Sequence, residues 1–436
     1  MHFAQGLPLR GRAARMRLGR RYSEGSAFIR SSIGTRLAEI PPNIRLRRAS
    51  SKGPLRSAGI SPGSSRACMA LALAIWCATL VAVSFQIIRG HIRFDAFPWY
   101  SEAARNWWAQ LPLYETKTID GFLYFPQAAI AYSPFEWIGV PWGALLWRGF
   151  GWGLLCHALW RLSKCMSPDR PAPTFLIATC IAWAPSLGSL LCGQANLHIA
   201  AIMALTTLTL IEQKWWRAAA FLMLGLSLKP IMIVMVLMVV ALYPPMRWRT
   251  SACLALFVLA PFLVGDFSYV TRQYRDCLTK LVISSQPDRL FEDLRGLLWT
   301  LGLRVRPSML LGLRLFAAVG TLGLCRFARR RWSEPCASLV LLALTATFLT
   351  LFNPRTLPSS YMIVTPIAAT SAAVFSLARE HRRRALWLIG VCMCSSFAFW
   401  TPRYTEFWLR PLGCAAFATL LVRANRQGRE TSYRRG

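Results

Sequence analysis

Acidic residues are scarce in this chain. It has 18 Asp and Glu against 51 Lys and Arg in 436 positions, and only 16% of its residues are charged. That is too little charge to clothe a soluble protein of this length. Only five His are present (His2, His91, His157, His198, His381), scattered without metal-ligand spacing, so no metal site is expected. The 13 Cys include no C-x-x-C, their nearest pair is Cys392 and Cys394, and most lie in apolar runs. They read as small buried hydrophobes rather than a disulfide framework. Walker-type loops, Rossmann glycine patterns, H-E-x-x-H and G-x-S-x-G are all missing, which leaves no soluble nucleotide-binding domain and implies no cofactor. An enzyme built this way needs an activated donor that arrives through the membrane.

What is abundant is apolar sequence: 55% of the chain, in runs of membrane-helix length. The net charge of +33 suggests nucleic acid at first sight, but its location argues against that partner. The basic residues lie in an N-terminal tail and in short loops between apolar runs, as in a membrane protein with basic cytoplasmic loops. Residues 1–67 hold 14 Lys and Arg against Glu24 and Glu39, with many Ser and Gly. Such a segment has too little apolar content to fold alone. It reads as a disordered cytoplasmic tail, a start codon placed too far upstream, or a transit peptide.

The fold class expected is an all-α, polytopic membrane helix bundle over residues 68–423, with a short cytoplasmic tail at 424–436. Spans are read at 68–88, 126–160, 174–191, 194–211, 216–228, 231–243, 250–265, 309–326, 336–352, 360–378, 385–400 and 407–423. Residues 126–160 are long enough for two passes but carry Pro126, Pro134, Pro141, Glu136 and Arg148. One net crossing puts 20 basic and five acidic residues on the tail's side, against 12 and ten opposite. Two crossings would expel Arg329-Arg330-Arg331 and Arg382-Arg383-Arg384, against the positive-inside rule. Twelve spans with both termini cytoplasmic, in a bacterial plasma membrane, are therefore expected. Asp95, Gln194-Ala195-Asn196, Lys229-Pro230, Asn353-Pro354-Arg355 and Thr401-Pro402-Arg403 then share the extracytoplasmic side.

Each of these polar groups has a plain alternative. Asp95 could cap a short helix over about 96–110, and Gln194 and Asn196 could cap a span. Over that short helix Trp99, Tyr100, Trp107 and Trp108 are spaced for one side, where interfacial anchoring suits the Trp residues. Lys229 could snorkel, and Glu136 could pair with Arg148. Arg355 and Arg403 could be solvated loop charges, and Arg272 and Arg275 are weaker candidates for any role. Taken together, however, Lys229, Arg355 and Arg403 form a candidate phosphate site. Gln194 and Asn196 are suited to sugar hydroxyls.

The order Asp95, Tyr100, Ala103-Ala104, Pro112-Leu113-Tyr114, Tyr124-Phe125-Pro126 resembles the polyprenol-phosphate-dependent mannosyltransferases of glycosyltransferase family 87, of the membrane C-type fold. Gly193-Gln194-Ala195-Asn196, Gly225 with Lys229-Pro230, and Asn353-Pro354-Arg355 ahead of Tyr361 are similar to later blocks of that family. Two departures stand out: Gln110-Leu111 precede the Pro-Leu-Tyr turn where a Gly is usual, and the late turn lacks a His. The resemblance implies a metal-independent, inverting transfer of a mannose-like hexose. The donor would be a polyprenyl-phosphate sugar and the acceptor a hydroxyl of a glycan or glycolipid. It also implies Asp95 as general base, Lys229, Arg355 and Arg403 on the leaving phosphate, and Tyr100, Tyr124, Gln194 and Asn196 around sugar and acceptor. The alternatives are a transporter or flippase of a lipid-linked sugar, which typically shows inverted repeats that this chain lacks, and a non-catalytic membrane subunit, which has no use for clustered polar turns.

Overall fold

The computed structural model describes residues 62–91, 95–117, 119–285, 290–378, 381–397 and 405–433. The tail read at 1–67 falls almost wholly outside these residues, and so does Arg403. All regular structure among the described residues is helical.

The first apolar run forms α1 (Pro62–Ile88), and the aromatic loop after it holds a short helix, α2 (Phe97–Trp108). The segment at 126–160 divides in two, α3 (Pro126–Ile138) and α4 (Trp142–Met166), parted at Gly139-Val140-Pro141. Then follow α5 (Pro171–Leu191), α6 (Asn196–Ile211) and α7 (Trp215–Leu228). A 3-10 turn, Pro230–Met232, leads into α8 (Ile233–Leu242), and α9 (Met246–Leu259) comes next. An amphipathic helix α10 (Phe267–Ser285) and a short α11 (Leu294–Thr300) precede α12 (Pro307–Arg331) and α13 (Glu334–Phe352). A second 3-10 turn, Pro358–Ile363, leads to α14 (Thr365–Leu377), α15 (Arg382–Phe397) and α16 (Glu406–Tyr433).

Among the described residues, five helical stretches are long and apolar enough to cross a membrane: Gly63–Ile88, Pro171–Leu191, Met246–Leu263, Pro307–Arg331 and Glu334–Phe352. Among the described residues, Asn196–Ile211, Trp215–Leu228, Pro230–Leu242 and Thr365–Leu377 are shorter apolar helices of 10–17 residues. At 1.5 Å per residue these cover about 15–25 Å, short of a hydrocarbon core of about 30 Å. Of the twelve expected spans, length and composition therefore single out five. The helix α4, at 25 residues, is long enough but is interrupted by Arg148, Arg161 and Lys164.

The core lies where α4, α6, α7, α13 and α14 meet. In α6 every residue from Asn196 to Leu210 is buried, so it is the central post. Contacts sort the loops into two ends. At one, Arg161 pairs with Glu212, which also binds Lys214 at 2.7 Å. The Trp215 ring lies 6.3 Å from that of Tyr243, tilted at 50°, and the Arg329 guanidinium lies 3.9 Å over that Tyr ring and 3.7 Å from Glu334. The opposite end gathers residues 95–96, 192–194, 229–231 and 353–357 around one cavity. Since α4 runs from Arg148 beside Asp95 to Arg161 beside Glu212, it joins the two ends once.

Three local expectations are corrected. Glu136 does not pair with Arg148: it takes Arg105 at 2.8 Å and the Ser101 hydroxyl, both from α2. The rings of α2 do not share one side: Tyr100 and Trp107 are buried, whereas Trp99 and Trp108 are about half exposed. Those positions alternate between core and rim because α3 covers one flank of α2, with Tyr132 stacked on Tyr100 at 4.3 Å and Trp108 donating to Ser133. Finally, Asn196 caps nothing, since the residue before it, Ala195, is the N-cap of α6 without a side-chain bond.

Candidate active site

A cavity of about 670 Å³ opens at the end opposite the Arg329 cluster. Asp95, Tyr100, Tyr124, Gln194, Lys229 and Arg355 all line it, and Asn196 stands directly behind Lys229. Arg272 and Arg275 do not line it; both are exposed on α10. Leu123, Ile231, Leu281 and Leu357 make part of its wall apolar.

Asp95 sits at the entry to α2, where its Oδ1 accepts the Phe97 amide at 2.8 Å. Ala96 is the N-cap of α2 and makes no side-chain cap bond, so Asp95, one residue earlier, is not the cap but still satisfies the first amide of the helix. The same oxygen accepts from Arg148 Nη2 at 2.8 Å, and the carboxylate remains 28% exposed toward the cavity. The Ala96 amide donates to Cys192 O at 2.9 Å, pinning this corner to the end of α5.

Arg148 is the residue that sequence reading missed. It is 1% exposed, and its remaining donors reach the carbonyls of Leu190, Leu191 and Ala144 at 3.0, 3.0 and 3.3 Å. Gly193 accounts for the approach: at φ +62°, a Cβ there would lie 2.8 Å from Arg148 Nη2. Only a glycine combines that backbone with that clearance. Trp147, the neighbour of Arg148, donates to Gly193 O at 2.8 Å and stacks on His198, tightening the same corner.

Also on the cavity lining, the Lys229 ammonium donates to Asn196 Oδ1 at 2.5 Å. Asn196 Nδ2 in turn donates to Gln194 Oε1 (2.9 Å) and Ser359 Oγ (3.1 Å), and Ser359 donates to the same Gln194 oxygen at 2.5 Å. The Gly-Gln-x-Asn block thus serves to hold a cation. Among the described residues no carboxylate pairs with Lys229. Pro230 breaks the helix just after it, and Gly225 lets Met232 fold back: a Cβ at 225 would lie 2.6 Å from Met232 Cε.

Arg355 donates to Ile119 O and to Asp120 Oδ1, the latter at 3.0 Å. Tyr100 and Tyr124 share a 2.9 Å hydroxyl contact, and burial pushes both phenols above their usual range, so they stay protonated as donors. The helix α10 clamps the loop that carries these groups. Gln273 accepts the Leu113 amide at 3.0 Å, Tyr269 donates to Leu111 O at 2.8 Å, and the fully buried Lys280 donates to Glu115 O and Asp120 O. Burial also lowers the Lys280 pKa. Tyr114 donates to Tyr124 O at 2.7 Å, so the Pro-Leu-Tyr turn supports the cavity wall rather than lining it.

The Asp95 carboxylate and two cations, Lys229 and Arg355, thus line one partly apolar, partly hydroxyl-lined cavity. Such a cavity holds a group able to accept a proton and groups able to stabilise negative charge.

No curated protein and no solved structure matches this chain. A family model does match, over residues 122–354. The matched stretch holds Tyr124, Gln194, Asn196 and Lys229, while Asp95 precedes it and Arg355 follows it by one residue. Covering over half of the chain, that match shows that this membrane protein belongs to glycosyltransferase family 87.

Proposed function

We propose that this glycosyltransferase moves a mannose-like hexose from a polyprenyl-phosphate donor to an acceptor hydroxyl of a glycan or glycolipid, on the extracytoplasmic side and with inversion. The observation that carries the reading is the cavity that Asp95, Lys229 and Arg355 share. Asp95 takes the proton of the acceptor hydroxyl as that oxygen bonds to the anomeric carbon. The bond from that carbon to the phosphate oxygen breaks, and its electron pair leaves with polyprenyl phosphate. One carboxylate suffices for a single displacement, and such a base contributes about 10²–10⁴-fold.

Lys229 supports the phosphate assignment. A cation beside a cavity and without a carboxylate partner is stabilised by an arriving anion. Arg355 lines the same cavity, and Arg403, which lies outside the described residues, is proposed with it from the sequence alone. Tyr100, Tyr124, Gln194 and Asn196 supply hydroxyl and amide groups for hexose and acceptor. The apolar wall at Leu123, Ile231, Leu281 and Leu357 suits the first prenyl units.

The test is transfer from a polyprenyl-phosphate sugar by Asp95→Asn, which retains an oxygen acceptor for Phe97 and Arg148. Turnover is expected to fall by about 10²–10⁴-fold while the protein still inserts and binds donor. Wild-type turnover by this variant would remove Asp95 from the chemistry.

A further inference from the structure

We propose that Arg148 is the positioning residue for Asp95, selecting which carboxylate oxygen acts on the acceptor. The inference rests on the reading of Asp95 as base. A carboxylate oxygen has two lone pairs in its plane. Among the described residues, both bonds that Asp95 makes, from the Phe97 amide and from Arg148 Nη2, end on Oδ1 at 2.8 Å. Oδ1 is thereby occupied, and Oδ2 is the oxygen that can take a substrate proton. The Phe97 bond alone leaves the carboxyl plane free to rotate about that contact. A second donor from another helix removes the rotation.

Arg148 is built for this and for little else. Its guanidinium is buried against three carbonyls, so it cannot swing to a ligand. Asp95 is its ion-pair partner, and the cavity wall does not include it. Gly193 provides the clearance that lets the fork reach its place. Misplacing a reacting group by about 1 Å can cost about 10²-fold in rate. A substrate-binding Arg would affect KM first, whereas a buried orienting Arg affects kcat.

The experiment compares Arg148→Met, Arg148→Lys and the double variant Asp95→Asn/Arg148→Met, reading kcat and donor affinity with a short-chain polyprenyl-phosphate hexose. Arg148→Met, which keeps the bulk and removes the donors, is expected to lose about 10²-fold in kcat with donor affinity within about twofold of wild type. Arg148→Lys recovers part of the loss, because an ammonium can donate one bond to Oδ1 without the fork. In the Asp95→Asn background, Arg148→Met adds no further loss. Should Arg148→Met fail to insert, Gly193→Ala displaces the guanidinium with its charge retained and is expected to lower kcat in the same way. Wild-type kcat in Arg148→Met or Gly193→Ala overturns the proposal. So does a kcat loss that persists undiminished in the Asp95→Asn background. Full turnover by Asp95→Asn alone would instead reject the base. Lost turnover there with wild-type turnover in Arg148→Met rejects only the positioning role.

Discussion

Lys229 is the single side chain on which the proposed phosphate site depends most. Its ammonium has an amide oxygen but, among the described residues, no carboxylate to neutralise it, and Asn196 is fixed in turn by Gln194 and Ser359. Such a cation is stabilised when an anion binds and is indifferent to a neutral sugar. Lys229→Met is therefore expected to raise donor KM by about 10–100-fold while leaving acceptor KM nearly unchanged, since a charge-assisted bond to phosphate is worth about 1.5–3 kcal/mol. Steady-state kinetics with donor and acceptor varied separately check this. Equal weakening for both substrates would place Lys229 in the architecture instead.

At the scale of elements, the connection between α10 and α12 has its own electrostatics. Asp293 is the N-cap of α11, accepting the Gly296 amide at 3.0 Å, with Arg314 at 3.7 Å. Burial outweighs both and raises its carboxyl from the ordinary 3.8 to about 6. The native state then holds a proton that the unfolded state has released, so stability falls as pH rises from about 4 to about 6. Thermal unfolding in detergent is expected to show this decline, and Asp293→Asn, which keeps the capping oxygen, is expected to flatten it. An unchanged slope in the variant would contradict the assignment.

The same scale shows what the sequence made legible. Asp95, Lys229, Gln194 and Asn196 were conspicuous because polar groups at the edges of apolar runs have few structural uses. The break at Lys229-Pro230 was visible in the Pro and in the shortness of its flanking helices. The roles of Arg148 and Lys280 were not. Arg148 reaches Asp95 from 53 positions away, and Lys280 reaches Glu115 from 165. A charge count treats the first as an intramembrane oddity and the second as a loop charge. Gly193 was visible only as part of a block, because the guanidinium that requires a glycine there arrives from another helix.

For the whole molecule, the sorting of loops between two ends is the organising fact. The cavity lies at one, and Arg161, Lys214 and Arg329 lie at the other. If the basic end is cytoplasmic, as the positive-inside rule requires, the cavity faces outward. A cysteine substituted for Arg331 in a background without reactive thiols is expected to resist a membrane-impermeant reagent in intact cells and to react in inverted vesicles. Labelling from outside would reverse the orientation.

The central claim is transfer from a polyprenyl-phosphate sugar, and the most direct measurement offers the purified protein a panel of such donors with an acceptor extract. The account predicts a new glycoside made from a polyprenyl-phosphate hexose, with free polyprenyl phosphate released in equal amount and the anomeric configuration inverted. Sugar movement across a vesicle membrane with no glycoside formed, or transfer from a nucleotide sugar alone, would contradict it.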